Sequence, residues 1–153
     1  MNMRMFSMPW RTMAKRSTPR PKAKRTSLAE DEMITAVVLP EEVPAAQEFA
    51  KIGVRTAMVI STVSCVVMRA SDGFRVALGS VAPTVMRARR AEAMLNAESS
   101  PTPEALAEFA RIVSEEVRPI TDHRSTEAYR RHAAGVLARR LVERCLVGAG
   151  GAA

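Results

Sequence analysis

The run Phe74–Leu95, FRVALGSVAPTVMRARRAEAML, constrains the fold more than any other part of this chain. It begins with period two. Phe74, Val76 and Leu78 alternate with Arg75, Ala77 and Gly79, as in a strand with one buried face. It ends with a helical stripe, in which Ala88, Ala91 and Leu95 recur at steps of three and four with Met94 beside them. Gly79 and Pro83 break the strand period, and Pro83 falls where a helix can begin. A chain that passes from a half-buried strand into an amphipathic helix must stack a sheet against a helical layer.

The flanking segments extend that pattern. Asp72-Gly73 is a hairpin signal that pairs Val63–Arg69 with Phe74–Leu78 as antiparallel neighbours. Val63–Arg69 is apolar on both faces, which predicts a central strand. Gln47–Ile52 reads as a second short strand, ended by Gly53. Met33–Leu39 reads as extended, with Ile34, Ala36 and Val38 alternating with Thr35, Val37 and Leu39 before Pro40 and Pro44. Arg55–Ser61 is open between a helical turn and the start of a strand. Downstream, Thr102 is placed as a helix N-cap, with Pro103 at the first helical position and Glu104 in the first turn. Leu106, Phe109, Ala110 and Val113 then form a stripe that runs to about Glu116, and Pro119 stops it. Ser125 is expected to cap a third helix, with Glu127 near its positive end and Ala134, Leu137, Leu141 and Cys145 as its buried stripe. Arg130, Arg131, Arg139, Arg140 and Arg144 are expected to line its other faces in solvent. Strands followed by helices give an α+β domain. The prediction is a three- to four-stranded antiparallel sheet followed by three helices packed on one face, in two layers.

A hydrophobic fraction of 47% in 153 residues suffices for one core. The net charge of +7 is unevenly spread. Residues 1–25 hold eight Lys or Arg and no acid, so the remainder is near neutral. The expected organisation is a disordered basic tail over 1–25, an α+β domain over 26–147 and a flexible Gly/Ala end over 148–153. The tail admits four readings: a phosphate contact, an organellar transit segment, a grip on an acidic partner, or a solvated extension. An aromatic content of 4% argues against a base-stacking platform, and hence against a nucleic-acid partner for the body. Cys65 and Cys145 are expected as free buried thiols in a reducing compartment, which places the chain in the cytoplasm. Two histidines and no clustered cysteine argue against a metal site. No apolar run approaches 18 residues without a charge, so no membrane span is expected.

The residues by themselves name no reaction. No set of nucleophile, base and orienting group stands out, so no catalytic residue is assigned. The acids are scattered on helix faces and are expected in solvent. Gly148-Ala149-Gly150-Gly151 follows a helix instead of opening one, which excludes a phosphate loop.

Four segments in order nevertheless resemble one family: RTSLAEDEMITAVVLP, FAKIGVR, VALGSVAPTVMRARRAEAML and RPITDHRSTEAYRRHAAGVLARRLV. GSVAPT with the helix after it, and the approach from Asp122 to Tyr129 and Arg130, are the most specific. The body from about Lys24 to Leu146 is similar to the C-terminal domain of the FAD-binding subunit of molybdenum hydroxylases, which include carbon monoxide dehydrogenase and xanthine dehydrogenase. The resemblance implies a component of an oxidoreductase. Its FAD would carry electrons between iron–sulfur clusters and an outside acceptor. The partners implied are an FAD-binding half, a molybdenum large subunit and an iron–sulfur small subunit. It further implies that Phe49 lies against the isoalloxazine with Lys51 close by and Arg55 near. An aromatic face excludes water from the ring, and a cation favours its reduced anion. The alternative for Phe49 is a core position, with Lys51 merely solvated. The chain departs from the family in three ways. Met58 stands where an Asp is frequent, residues 1–23 match nothing, and no Gly-Gly pair precedes Gly150. The family's flavin-binding Gly-rich loops are therefore expected to be missing, and the chain by itself is not expected to hold FAD. The rival reading is a folded remnant or binding module without redox activity, its basic tail contacting nucleic acid or an acidic partner.

Overall fold

The computed structural model describes residues 28–29, 31–33, 35–36, 44–55 and 60–148. Among them, β1 (Ala46–Ile52), β2 (Val63–Ala70), β3 (Gly73–Gly79) and β4 (Met86–Arg87) form one antiparallel sheet in the order β1-β2-β3-β4. The helices α1 (Arg89–Asn96), α2 (Pro103–Glu116) and α3 (Glu127–Gly148) follow. The fold is α+β. β2 lies inside the sheet, as its two apolar faces require.

One face of the sheet meets the helices. Val63, Cys65 and Val67 of β2 and Phe74, Val76 and Leu78 of β3 point into a core shared with Leu95, Phe109, Val113, Leu137 and Leu141. Fully burying a leucine or phenylalanine contributes about 1.5–3 kcal/mol relative to leaving it exposed, so this seam holds the two layers together. α2 and α3 approach closely at Gly135, where a Cβ would collide with Ser114 Oγ and the Ala110 carbonyl.

The β2–β3 turn differs from the expected one. Ala70 pairs with Gly73, so Ser71 and Asp72 occupy the loop. Neither has positive φ, which excludes the mirror-image turn that Asp-Gly favours. Gly73 instead takes φ 117° at the first position of β3. The Asn96 amide locks this end, accepting from Phe74 N at 2.7 Å and donating to Phe74 O at 3.0 Å.

Pro83 does not open α1. Met86 and Arg87 first pair with Leu78 and Ala77 as β4, and the helix begins at Arg89. Ala88 has no side chain to cap it. The Glu116 carboxylate at the end of α2 takes that role, accepting from Arg90 N and Ala91 N at 3.0 Å each. Thr102 caps α2 as expected, accepting from Ala105 N at 3.2 Å. Thr126, not Ser125, serves α3, since its Oγ1 accepts from Tyr129 N at 3.2 Å.

Within Met33–Leu39, Ile34 and residues 37–39 lie outside the described residues, and Met33, Thr35 and Ala36 join no strand. The predicted tail over 1–25 and residues 149–153 also lie outside them, as do residues 56–59 within the ambiguous Arg55–Ser61 stretch.

Candidate functional site

Among the described residues, no helix covers the second face of the sheet. Its side chains follow from the register. Phe49 stands opposite Val66, and Val66 opposite Ala77. Lys51 stands opposite Ser64, and Ser64 opposite Gly79. Alternation sends these residues away from the helices. Phe49 is 60% exposed and Val66 37% exposed. The core reading of Phe49 is thereby excluded. Lys51 lies on the same face as Phe49, two residues and roughly 7 Å along β1. Arg55 follows the end of β1 and lines a cleft of about 320 Å³ with Val54, Ile60, His123 and Arg124.

One buried cation organises this end of the molecule. Arg130, only 4% exposed, donates to the Thr62 and Ser80 carbonyls at 2.9 Å each and to Asp122 Oδ1 at 2.7 Å. It thus joins the entry to β2, the exit from β3 and the loop before α3. Ser80 holds φ 64°, a left-handed conformation that side-chain-bearing residues rarely adopt, and Arg130 binds its carbonyl. Asp122 Oδ1 also accepts from Arg124 N at 2.9 Å and Ser125 N at 3.1 Å, and Asp122 N donates to Ser125 O at 3.0 Å. The Arg124 N–H is the chief cause that draws the Asp122 carboxyl down to about 2, with the Arg130 guanidinium adding to it.

Arg130 therefore corrects the expectation of a solvated basic face on α3. Arg131 departs from it too, donating to the Ser114 and Val117 carbonyls at the end of α2 at 3.2 and 2.8 Å. The signal for Arg130 was present, because it stands four residues before Ala134 in line with the buried stripe. The acids were likewise not all in solvent. Glu92 is buried, accepting from Val76 N at 2.8 Å and pairing with Arg87 at 2.5 Å. A charged residue in an apolar stripe marks a paired buried ion, since an unpaired one costs several kcal/mol.

Cys65 and Cys145 are free and buried beneath the sheet, with Cys145 Sγ 3.9 Å from the Val67 carbonyl. Burial pushes the Cys65 thiol up to about 12, with Cys145 adding to the shift, so it is no nucleophile at neutral pH. Among the described residues no group of three His, Cys, Asp or Glu side chains is placed to hold a metal ion. No helix among them is long and apolar enough to cross a membrane.

Residues 48–145 match the CO dehydrogenase flavoprotein C-terminal domain. The chain belongs to that family. It is the C-terminal-domain type found in the FAD subunit of molybdenum hydroxylases. Among solved structures, carbon monoxide dehydrogenase from Hydrogenophaga pseudoflava, in a form lacking the Mo-pyranopterin moiety, superposes with a TM-score of 0.60 at 27% identity. The match covers 67% of this chain and 37% of that one. Reconstituted CO dehydrogenase from Oligotropha carboxidovorans (TM-score 0.58, 24% identity, 66% and 36% covered) shares the fold. So does quinoline 2-oxidoreductase from Pseudomonas putida 86 (0.60, 22%, 67% and 37%). This chain thus spans little more than a third of the length of those chains. No curated protein matches it. The family match covers three of the four segments that carried the resemblance and begins after the first, RTSLAEDEMITAVVLP.

Proposed function

We propose that the uncovered sheet face closes one side of a flavin, as a component of a molybdenum hydroxylase-type oxidoreductase. A single observation carries this reading. Phe49 and Lys51 stand together on the face the helices leave open, in a chain of the flavoprotein C-terminal family. The donor set suits an isoalloxazine, because it pairs an exposed aromatic plane with a cation. FAD, when bound in such a complex, relays electrons between iron–sulfur clusters and an outside acceptor. Phe49 excludes water from the ring, and Val66 beside it extends the apolar surface. Lys51 places positive charge where it stabilises an anionic ring. The pyrophosphate of FAD would be held by an FAD-binding half. The further partners are a molybdenum large subunit and an iron–sulfur small subunit, in the cytoplasm.

The test is reconstitution with a polypeptide carrying an FAD-binding half. Lys51→Ala should lower the flavin reduction potential, and Phe49→Ala should increase solvent quenching of flavin fluorescence. Both should leave the melting temperature of this chain within a few degrees of the parent. An unchanged potential and unchanged quenching in a complex that assembles would overturn the proposal.

A further inference from the structure

We infer that the cleft lined by Arg55, His123, Arg124, Val54 and Ile60 binds the phosphate of a nucleotide-sized ligand. The cleft lining does not include Phe49 or Lys51, and the inference does not rest on the flavin reading.

The cleft is rich in positive charge. Arg55 and Arg124 line the cleft, and the buried Arg130 lies directly behind the turn that carries His123 and Arg124. Among the described residues one carboxylate, that of Asp122, stands in ion-pair range of two of these guanidinium groups. It is 2.7 Å from Arg130 and 3.9 Å from Arg124. Its closer contact is spent on the buried arginine, and Asp122 Oδ1 also accepts two backbone N–H groups. The remaining positive charge faces the cleft. An oxyanion complements it, and arginine's planar fork matches phosphate oxygens in pairs.

The turn at the cleft is also preorganised. His123 and Arg124 form the tip of a turn closed at both ends by Asp122 and Ser125. Arg130 clamps that turn to Thr62, two residues beyond Ile60 of the cleft wall. The turn is thereby held by a buried anchor, and binding need not order it first. A volume of about 320 Å³ lies at the small end of the range for small-molecule sites. Val54 and Ile60 are exposed on its wall, an apolar surface suited to a ring or base beside the phosphate.

The experiment uses the full chain, followed residue by residue by ¹⁵N NMR in buffered sodium chloride at constant ionic strength. The probes are inorganic phosphate, pyrophosphate and AMP. Saturable shifts are expected at Arg55, His123 and Arg124, with AMP binding more tightly than inorganic phosphate. Arg124→Gln should weaken AMP at least tenfold. Arg55→Gln, in an exposed bend, provides a second variant if the first perturbs the turn. Arg140→Gln, on an exposed part of α3 away from the cleft, should leave binding unchanged. Shifts that never saturate, shifts confined to the basic residues 1–25, or AMP binding unaltered in both cleft variants would overturn the inference.

Discussion

Two phenylalanines show how differently the two faces of this sheet are used. Phe74 of β3 is 7% exposed, packed against the helices with the Arg69 guanidinium 5.7 Å from its ring centre. Phe49 of β1 is 60% exposed on the opposite face, beside Lys51 and Val66. Both sit on strands whose period-two pattern places every second residue on one side. Alternation says only that the sides differ, and the position of the helices decides which side becomes core. On the flavin reading proposed above, the exposed ring of Phe49 is the surface that a cofactor covers.

The sharpest way to break the comparison is to truncate both rings. Phe74→Ala removes a buried aromatic and leaves a cavity, and should cost about 3–5 kcal/mol in urea unfolding. If Phe74→Ala proves as mild as an ordinary surface change, the helix-side face is not the core. Gly73→Val comes next. It forces a β-branched residue to φ 117° and puts its Cβ 2.6 Å from Asn96 Oδ1, the atom that holds Phe74 N. Backbone strain and the disturbed Asn96 bonds together should cost roughly 2 kcal/mol in the same measurement.

The layered α+β plan, the central β2, the β2–β3 pairing and the Thr102 cap were legible in the sequence, because period and cap chemistry are local. What was not legible depends on groups meeting across the fold. β4 is two residues long, too short to show a period, and its pairing displaced the start of α1 from Pro83 to Arg89. Glu116 caps a helix 26 residues before it, and nothing near Ala88 announces this. Asp72-Gly73 announced the hairpin, but the turn type depended on register. For the site, Phe49, Lys51 and Arg55 were picked out by resemblance. The structure keeps Phe49 and Lys51 together and carries Arg55 to a cleft with His123 and Arg124, residues that no local pattern singled out.

Between the large and small effects lies an acid response at the rim that joins the two faces. The folded-state pKa of Asp122 is about 2, against an ordinary value of 3.8. A depressed carboxylate stabilises the fold above its unfolded pKa, and that contribution is lost as pH falls through the folded one. The chain should therefore lose stability between about pH 4 and pH 2. Asp122→Asn should start less stable at neutral pH and fall less steeply across that window. Urea midpoints taken at several pH values check this. Parallel curves for parent and variant would remove Asp122 from the acid response.

The smallest expected effect tests the open face itself. Phe49→Ala removes a ring that this chain does not bury, so unfolding should shift by no more than about 0.5 kcal/mol, the range of ordinary surface changes. The same substitution should have a large effect on whatever covers the face. In the presence of a polypeptide carrying an FAD-binding half, the parent should protect the backbone amides of β1 and β2 from hydrogen exchange, and Phe49→Ala should weaken that protection. Val66→Thr, which keeps the branched shape opposite Phe49 and replaces a methyl with a hydroxyl, should act in the same direction more weakly. A loss near 3 kcal/mol in the isolated chain would mean that Phe49 packs against residues of this same chain. The contrast between the two phenylalanines would then disappear, and with it the reason to look for a flavin on that side of the sheet.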